Sequence, residues 1–146
     1  MNKFIQAFVS GLFITFILDF FLFLGIFLNY INFYNIDLYY NILFADNQNG
    51  YLFFSSTIIL GYLAVYVKNY KIALIVVAVL FFMTLLTLFS SVGHALGEAL
   101  FMKKNSTIET KNRVYIGDVL YDGRREITLF DYRLNKKIKI SKKDLK

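Results

Sequence analysis

The chain has 146 residues, of which 58% are hydrophobic and 19% aromatic, and it contains neither cysteine nor proline. This composition is typical of a small membrane protein, and the absence of cysteine excludes disulfides, thiolate metal sites and a lipidated cysteine. The net charge of +6 is unevenly distributed, because only Lys3, Lys68 and Lys71 among the 16 basic residues precede residue 100.

Three apolar runs predict three transmembrane helices, over about residues 4–28, 51–67 and 71–102. At about 1.5 Å per residue the second run is just long enough to cross a hydrocarbon core, and the other two are longer. The first run is interpreted as an uncleaved helix rather than a signal peptide, because it is long and no small-residue cleavage site follows it. A short interfacial helix is expected at residues 36–45 of the polar and aromatic connection.

The first run carries Gly11, Thr15 and Asp19 at every fourth position, which places them on one helix face. Insertion scales assign a central aspartate a cost of roughly 2.5–3.5 kcal/mol. We therefore expect Asp19 to face protein or a wet cavity. Its depth in the run predicts pairing with the third helix near Ser91 and His94.

The third run carries a polar stripe whose members follow one another at intervals of 3, 4, 3 and 4: Thr84, Thr87, Ser91, His94 and Glu98. At about 100° per residue these side chains fall within roughly 80° of one helix face. Beside the stripe, Ser90, Gly93 and Gly97 form a small-residue shoulder on which a second helix can pack closely. With Gly11, these are the predicted helix-packing residues.

The candidate chemistry is sparse. His94 and Glu98 are four residues apart and could share a metal ion with Asp19, but a His–Glu pair buried in a helix bundle is the favoured interpretation. No arrangement of nucleophile and base, phosphate-binding glycine loop or pair of catalytic carboxylates is present in the sequence. We therefore predict no catalytic residue, no metal and no cofactor.

The tail is predicted to form a linker over residues 103–112 and a basic three-stranded antiparallel β-module over 113–146. Its strands are expected at 113–121, 126–132 and 136–141, with a hairpin turn at Asp122 and Gly123. The expected fold is thus a membrane all-α domain, residues 1–102, with a small β appendage.

The basic tail is expected to contact anionic lipid through Lys103 and Lys104, and it lacks the recognition helix that nucleic-acid binding would need. Its basic residues predict a cytoplasmic tail, although Lys3, Lys68 and Lys71 favour the opposite orientation. An Asn-, Ile- and Lys-rich composition suggests a bacterial origin, and hence the inner membrane, with several membrane crossings.

Residues 127–145, ITLFDYRLNKKIKISKKDL, resemble a hairpin from the small β-domain of small-conductance mechanosensitive channels. The layout is also similar, with three helices, a third helix rich in small residues, and a β-module after it. Ser141, Lys142 and Lys143 stand where that family has a Pro-Asn turn. The resemblance implies a homo-oligomer whose third helix lines a pore.

Two function classes follow from these patterns. The first is a non-enzymatic assembly or accessory subunit that self-associates, or docks into a larger membrane complex, through the polar face of its third helix. The second is a small homo-oligomeric ion channel or membrane-permeabilising effector with that face turned to water. A buried seam and a pore lining require the same periodicity, so the stripe fits both.

Overall fold

A computed structural model describes residues 2–146, which form five α-helices and one four-stranded sheet. A π-helical turn, Phe27–Ile31, continues the first helix, and a 3₁₀ turn, Lys142–Asp144, follows the last strand. The elements are α1 (Lys3–Ile26), α2 (Tyr40–Asn47), α3 (Gly50–Tyr66), α4 (Tyr70–Leu86), α5 (Ser90–Phe101), β1 (Lys103–Glu109), β2 (Val114–Asp122), β3 (Glu126–Asp131) and β4 (Lys136–Ser141).

Asparagine residues set the starts of the three long apolar helices. The side-chain oxygens of Asn2, Asn49 and Asn69 accept backbone N–H groups in the first turns of α1, α3 and α4. Such N-caps satisfy donors that have no partner inside the helix.

Helix α1 is the central element, and α3 runs back along it. Gly11 of α1 packs against Gly61 and the Thr57 carbonyl oxygen of α3, and Gly61 in turn meets the Ala7 carbonyl oxygen. Helix α4 then returns beside α1, where the Phe21 and Phe81 rings are 5.3 Å apart. The chain therefore has Lys3 and the α3–α4 turn at one end.

The expectation of three transmembrane helices is wrong. Within residues 2–146, only the continuous segment Lys3–Ile31 is a single helix long and apolar enough to cross a membrane. Helix α3 has 17 residues and is shorter than a standard span, and α4 with α5 supplies a second candidate only if that bent pair is taken as one span. In its most apolar stretch, α1 has 28% of its residues buried, whereas the core helix of a water-soluble domain is mostly covered.

The third apolar run is not one helix, because α4 and α5 meet at 87°. Helix α4 ends at Leu86, and the chain turns through Thr87–Phe89 before α5 begins. Thr87 lies against Gly25 of α1, and its hydroxyl, which donates to the Thr84 carbonyl oxygen at 2.6 Å, is also 3.3 Å from the Phe21 carbonyl oxygen of α1. Packing on α1 and competition from side-chain hydroxyls for backbone acceptors account for the break.

The expectation of three strands is also wrong, because Lys103–Glu109, within the segment predicted as a linker, forms β1. The strands pair antiparallel in the order β1-β2-β3-β4. Strand β1 is easily missed in the sequence, because it is polar, lies at the sheet edge and contains an irregularity between Lys103 and Ser106. The other three strands lie within a residue or two of their predicted bounds.

Two regions differ in their surfaces. The first, here named the apolar band, consists of the outward side chains of α3, α4 and the part of α1 before Asp19; Phe13, Leu52 and Leu74 are typical, with 64%, 67% and 65% exposure. The second, here named the head, comprises residues 27–49 and 90–146. Its core joins α1 to the sheet through residues that include Ile26, Tyr30, Leu43 and Leu120.

Candidate functional site

The polar stripe is divided by the bend. Its first part, Thr84 and Thr87, returns hydrogen bonds to backbone oxygens, since the Thr84 hydroxyl donates to Phe81 at 2.8 Å and Thr87 to Thr84 at 2.6 Å. Ser91 is exposed at the start of α5. Only His94 and Glu98 lie together as a polar pair on α5.

Asn29 joins the broken helix to the end of α1. Its side-chain amide donates to the Thr87 carbonyl oxygen at 2.9 Å and to the Leu88 carbonyl oxygen at 3.1 Å. These carbonyls come from the end of α4, where the helix leaves acceptors without internal partners. Asn29 was not singled out in the sequence, although an amide directly after an apolar run is a signal for such a role.

His94 lies in an aromatic enclosure at the same point. Its ring centroid is 4.5 Å from that of Phe33, 5.4 Å from that of Tyr34 and 5.9 Å from that of Tyr30. His94 Nδ1 is 3.1 Å from the Asn29 carbonyl oxygen, and because that oxygen can only accept, Nδ1 is the donor.

The predicted pair of His94 and Glu98 is formed, with Nε2 3.5 Å from Oε1. Since the proton on Nδ1 points to Asn29, an attractive contact here requires a further proton on Nε2 or on the carboxyl group. Tyr34 adds a third partner, because its hydroxyl donates to Glu98 Oε1 at 3.1 Å. Burial, followed by the hydrogen bond and negative charge of Glu98, raises the pKa of Tyr34, so this phenol is held as a donor.

Asp19 has a different partner from the one predicted. Gln48 Nε2, at the end of α2, donates to Asp19 Oδ2 at 2.9 Å. Among the described residues, Asp19 and His94 share no hydrogen bond or ion pair, and no three His, Asp or Glu side chains are placed to hold a metal ion. Gln48 directly follows α2, in the short connection to α3, and a contact from such a connection leaves no periodic signal in the sequence.

The predicted packing residues are mostly occupied within the chain. A Cβ at Gly93 would meet the Thr87 and Gly25 carbonyl oxygens, and one at Gly97 would meet the Tyr30 ring. Gly11 packs against α3, as described above, whereas Ser90 is exposed at the start of α5. The close approach that the small-residue shoulder permits is therefore made by α1 of the same chain.

Hydrogen bonds to β2 fasten the sheet to the helices. The buried Tyr30 hydroxyl donates to the Leu120 carbonyl oxygen at 2.7 Å, and Asn47 of α2 donates to the Tyr121 hydroxyl at 2.9 Å. Burial raises the pKa of Tyr121, and the neighbouring charges of Asp46 and Asp122 contribute to the rise.

Ion pairs at the rim add to this attachment. Arg124 Nε is 2.8 Å from Asp46 Oδ1, and Lys139 Nζ is 2.8 Å from Asp37 Oδ2. The hydrogen bond and charge of Lys139 lower the pKa of Asp37. Lys137 donates to the carbonyl oxygens of Tyr34 and Asn35. These contacts hold the sheet against the segment that connects α1 to α3.

The predicted lipid contacts lie at the start of β1. Lys104 is exposed, and Lys103 Nζ is 3.4 Å from Asp122 Oδ2. Lys142 approaches the same carboxylate, with Nζ 2.7 Å from Oδ1. Burial would raise the pKa of Asp122, but the hydrogen bonds and charges of Lys142 and Lys103 outweigh it, and the net pKa is lowered.

Comparisons of this chain with protein-family models, curated proteins and solved structures find no match in any of the three. The likeness of residues 127–145 to a channel hairpin therefore stays an expectation from sequence. The function has to be argued from the contacts of the chain itself.

Proposed function

We propose that this chain is a non-enzymatic accessory protein of the bacterial cytoplasmic membrane, anchored by α1, whose head docks onto a second copy or a larger membrane complex. One observation carries the proposal. The polar side chains where α1 meets α5 and the sheet, including Glu98 of the candidate metal cluster, are used in bonds within the chain: Asn29, Tyr30 and Tyr34 all donate to groups of the same chain. A head that is fixed to the anchoring helix holds its docking surface in one orientation relative to that helix.

The head is proposed to face the cytoplasm. It carries all the basic residues that follow residue 100, while Lys3 and the α3–α4 turn with Lys68 and Lys71 lie at the other end of the helices. Cytoplasmic segments near a membrane carry an excess of Lys and Arg, and the larger group of charges decides in favour of the head.

Docking is proposed to use the outward face of α5, because the inward face is occupied by α1. Ser91, Ala95 and Ala99 are exposed at every fourth position of α5. Small residues at this spacing let another helix approach closely. The sequence suggests docking through the third apolar run. The proposal keeps docking on α5 but assigns it to the side opposite Gly93 and Gly97.

The channel alternative, with a pore lined by the third helix, has less support. A pore lining along Thr84, Thr87, Ser91, His94 and Glu98 requires a continuous helix face, and the 87° bend separates the first two from the rest. Ion flux through liposomes that contain only the purified protein tests it directly. We expect flux at the level of protein-free liposomes, and sustained flux would overturn the accessory role.

Single cysteines in this cysteine-free chain test the docking face. Ala95→Cys on α5 should form disulfide-linked dimers in oxidised membranes, or cross-link to one discrete partner through a bifunctional thiol reagent. Ala45→Cys, also exposed but on α2, is the matched control and should do neither. Equal cross-linking at both positions, or none at Ala95→Cys, would contradict docking through α5.

The orientation has its own test. Asn112→Cys, in the exposed β1–β2 turn, should react with an impermeant thiol reagent only after the cells are opened. Labelling in intact cells would show that the head faces outward.

A further inference from the structure

A cleft in the head is lined mainly by cations. It has a volume of about 710 Å³ and lies between the β2–β3 turn and the 3₁₀ turn after β4; its lining residues are Arg124, Arg125, Glu126, Ser141, Lys142 and Lys143. We name it the basic cleft. Its two walls are joined by the backbone, because the Lys142 N–H donates to the Arg125 carbonyl oxygen at 2.8 Å.

Half of these cations are free of ion pairs. Arg124 is paired with Asp46 and Lys142 with Asp122, whereas Arg125 and Lys143 have no ion pair among residues 2–146. All four side chains are exposed. The four cations face three carboxylates, Glu126 in the lining and the paired Asp46 and Asp122, so a net charge of +1 remains, and this exposed cationic surface suits a phosphate group.

Contacts through α2 connect the basic cleft to the end of the apolar band. Arg124 contacts Asp46 of α2, and Phe44, two residues earlier, has its ring 5.8 Å from that of Phe16. Phe16 is the last strongly exposed apolar residue of α1 before Asp19. The loop after Asp46 reaches Tyr51, which is 89% exposed at the start of α3.

A second cleft of about 470 Å³ adjoins the first and shares Arg124, Arg125 and Glu126 with it. Its remaining lining includes the apolar side chains of Ile36, Leu38 and Ile42, together with Asp37 and Asp46, which are ion-paired with Lys139 and Arg124. Cationic and apolar side chains therefore lie next to each other near the end of the apolar band. This combination fits an amphiphile with a phosphate at one end better than it fits a fully water-soluble anion.

We propose that the basic cleft binds the phosphate of an anionic phospholipid headgroup, with Arg125 and Lys143 as the principal contacts and Ile42 beside the glycerol region. The inference rests on the proposed anchoring of α1 in a membrane. It assigns lipid contact to the β2–β3 turn, in addition to the Lys103 and Lys104 position expected from the sequence.

Native mass spectrometry of the full chain in neutral detergent tests the proposal by measuring the affinity of the first bound lipid. The probes are phosphatidylglycerol, phosphatidylcholine and inorganic phosphate. An exposed ion pair with the lipid phosphate contributes up to about fivefold in affinity, so the double variant Arg125→Gln, Lys143→Gln should bind phosphatidylglycerol more weakly, by up to roughly 25-fold. Both residues are exposed, and the variant should keep the melting temperature of the parent.

The matched control is Arg133→Gln, Lys136→Gln, which removes two exposed cations from the β3–β4 turn at the opposite end of the sheet. It should change phosphatidylglycerol binding by less than about twofold, since these charges lie far from the cleft. Equal losses in the two double variants would overturn the proposal, as would an unchanged affinity in Arg125→Gln, Lys143→Gln.

Two further comparisons test whether the basic cleft is specific for an anionic lipid. Equal binding of phosphatidylcholine and phosphatidylglycerol, or displacement of phosphatidylglycerol by an equal concentration of inorganic phosphate, would overturn a lipid-specific site. Retention of the wild-type chain in membranes after a high-salt and urea wash tests the anchoring separately. Failure there would overturn the proposed function, whereas failure of the lipid titration alone would leave it intact.

Discussion

The apolar band and the head are held together by different physics. In the band, α1 and α3 meet through glycines with almost no polar contact, and the buried hydroxyls of Thr15 and Thr57 have no hydrogen-bond partner among residues 2–146. In the head, the short helices α2 and α5 and a small sheet are joined by buried hydrogen bonds and rim ion pairs. The apolar band therefore depends on close backbone packing, whereas the head depends on hydrogen bonds and ion pairs made by side chains.

The largest effect is expected where two backbones touch. A Cβ at Gly61 would overlap the Ala7 carbonyl oxygen, so Gly61→Leu should separate α1 from α3 and destabilise the chain by about 3 kcal/mol or more. Thermal melting in mild detergent measures the loss. Gly50→Leu is the control, because no atom of the described part of the chain outside its immediate neighbours lies within 4 Å of a Cβ there. Similar melting temperatures for the two variants would show that the α1–α3 contact is not close-packed.

A buried hydrogen bond in the head should rank second. Tyr30→Phe leaves the Leu120 carbonyl oxygen without its partner, which we expect to cost about 1–3 kcal/mol. Limited proteolysis of the sheet and thermal melting report the loss. Tyr39→Phe removes a phenol that is 73% exposed and should be neutral. A neutral Tyr30→Phe would mean that the sheet is not fastened through β2.

Alkaline pH should loosen the head before the band. Burial, followed by the charge of Asp19, raises the pKa of Tyr40 to about 12, and the pKa values of Tyr34 and Tyr121 are also raised. A pKa raised in the folded state favours the neutral phenol, so this stability is complete below pH about 10 and is lost as the pH rises through the folded-state values.

A titration that follows tyrosinate absorbance and helix content together tests this order. Tyrosinate formation in the head should accompany loss of its structure above pH about 10, and Tyr40→Phe should remove the ionisation phase near pH 12. Full ionisation near pH 10 with the head intact would contradict the burial of these phenols.

The smallest effect concerns the pair that looked most like a reactive site. His94 and Glu98 have side-chain exposures of 26% and 34%, so a double-mutant cycle with His94→Gln and Glu98→Gln should give a coupling of about 0.3–0.5 kcal/mol. The cycle of Asp19→Asn with His94→Gln should be additive, because the two residues have separate partners. Strong coupling of Asp19 to His94 would restore the contact predicted from their depths.

The sequence by itself determined the features that depend on local periodicity and turn chemistry. The apolar runs, the three later strands and the His94–Glu98 spacing all follow from neighbours along the chain. The helix faces of Gly11 and Gly97 were also identifiable as places of close approach, because their small size is visible without knowing the partner.

Only the tertiary structure decided what those features contact. The polar stripe could have remained straight, but the packing of Thr87 on Gly25 and the capping of the α4 end by Asn29 bend the helix and turn His94 toward α1. Likewise Gln48 reaches Asp19, and the polar residues 103–109 become a strand by pairing with β2. These contacts join residues that are distant in sequence, and their free energy depends on three-dimensional proximity, which no local pattern encodes.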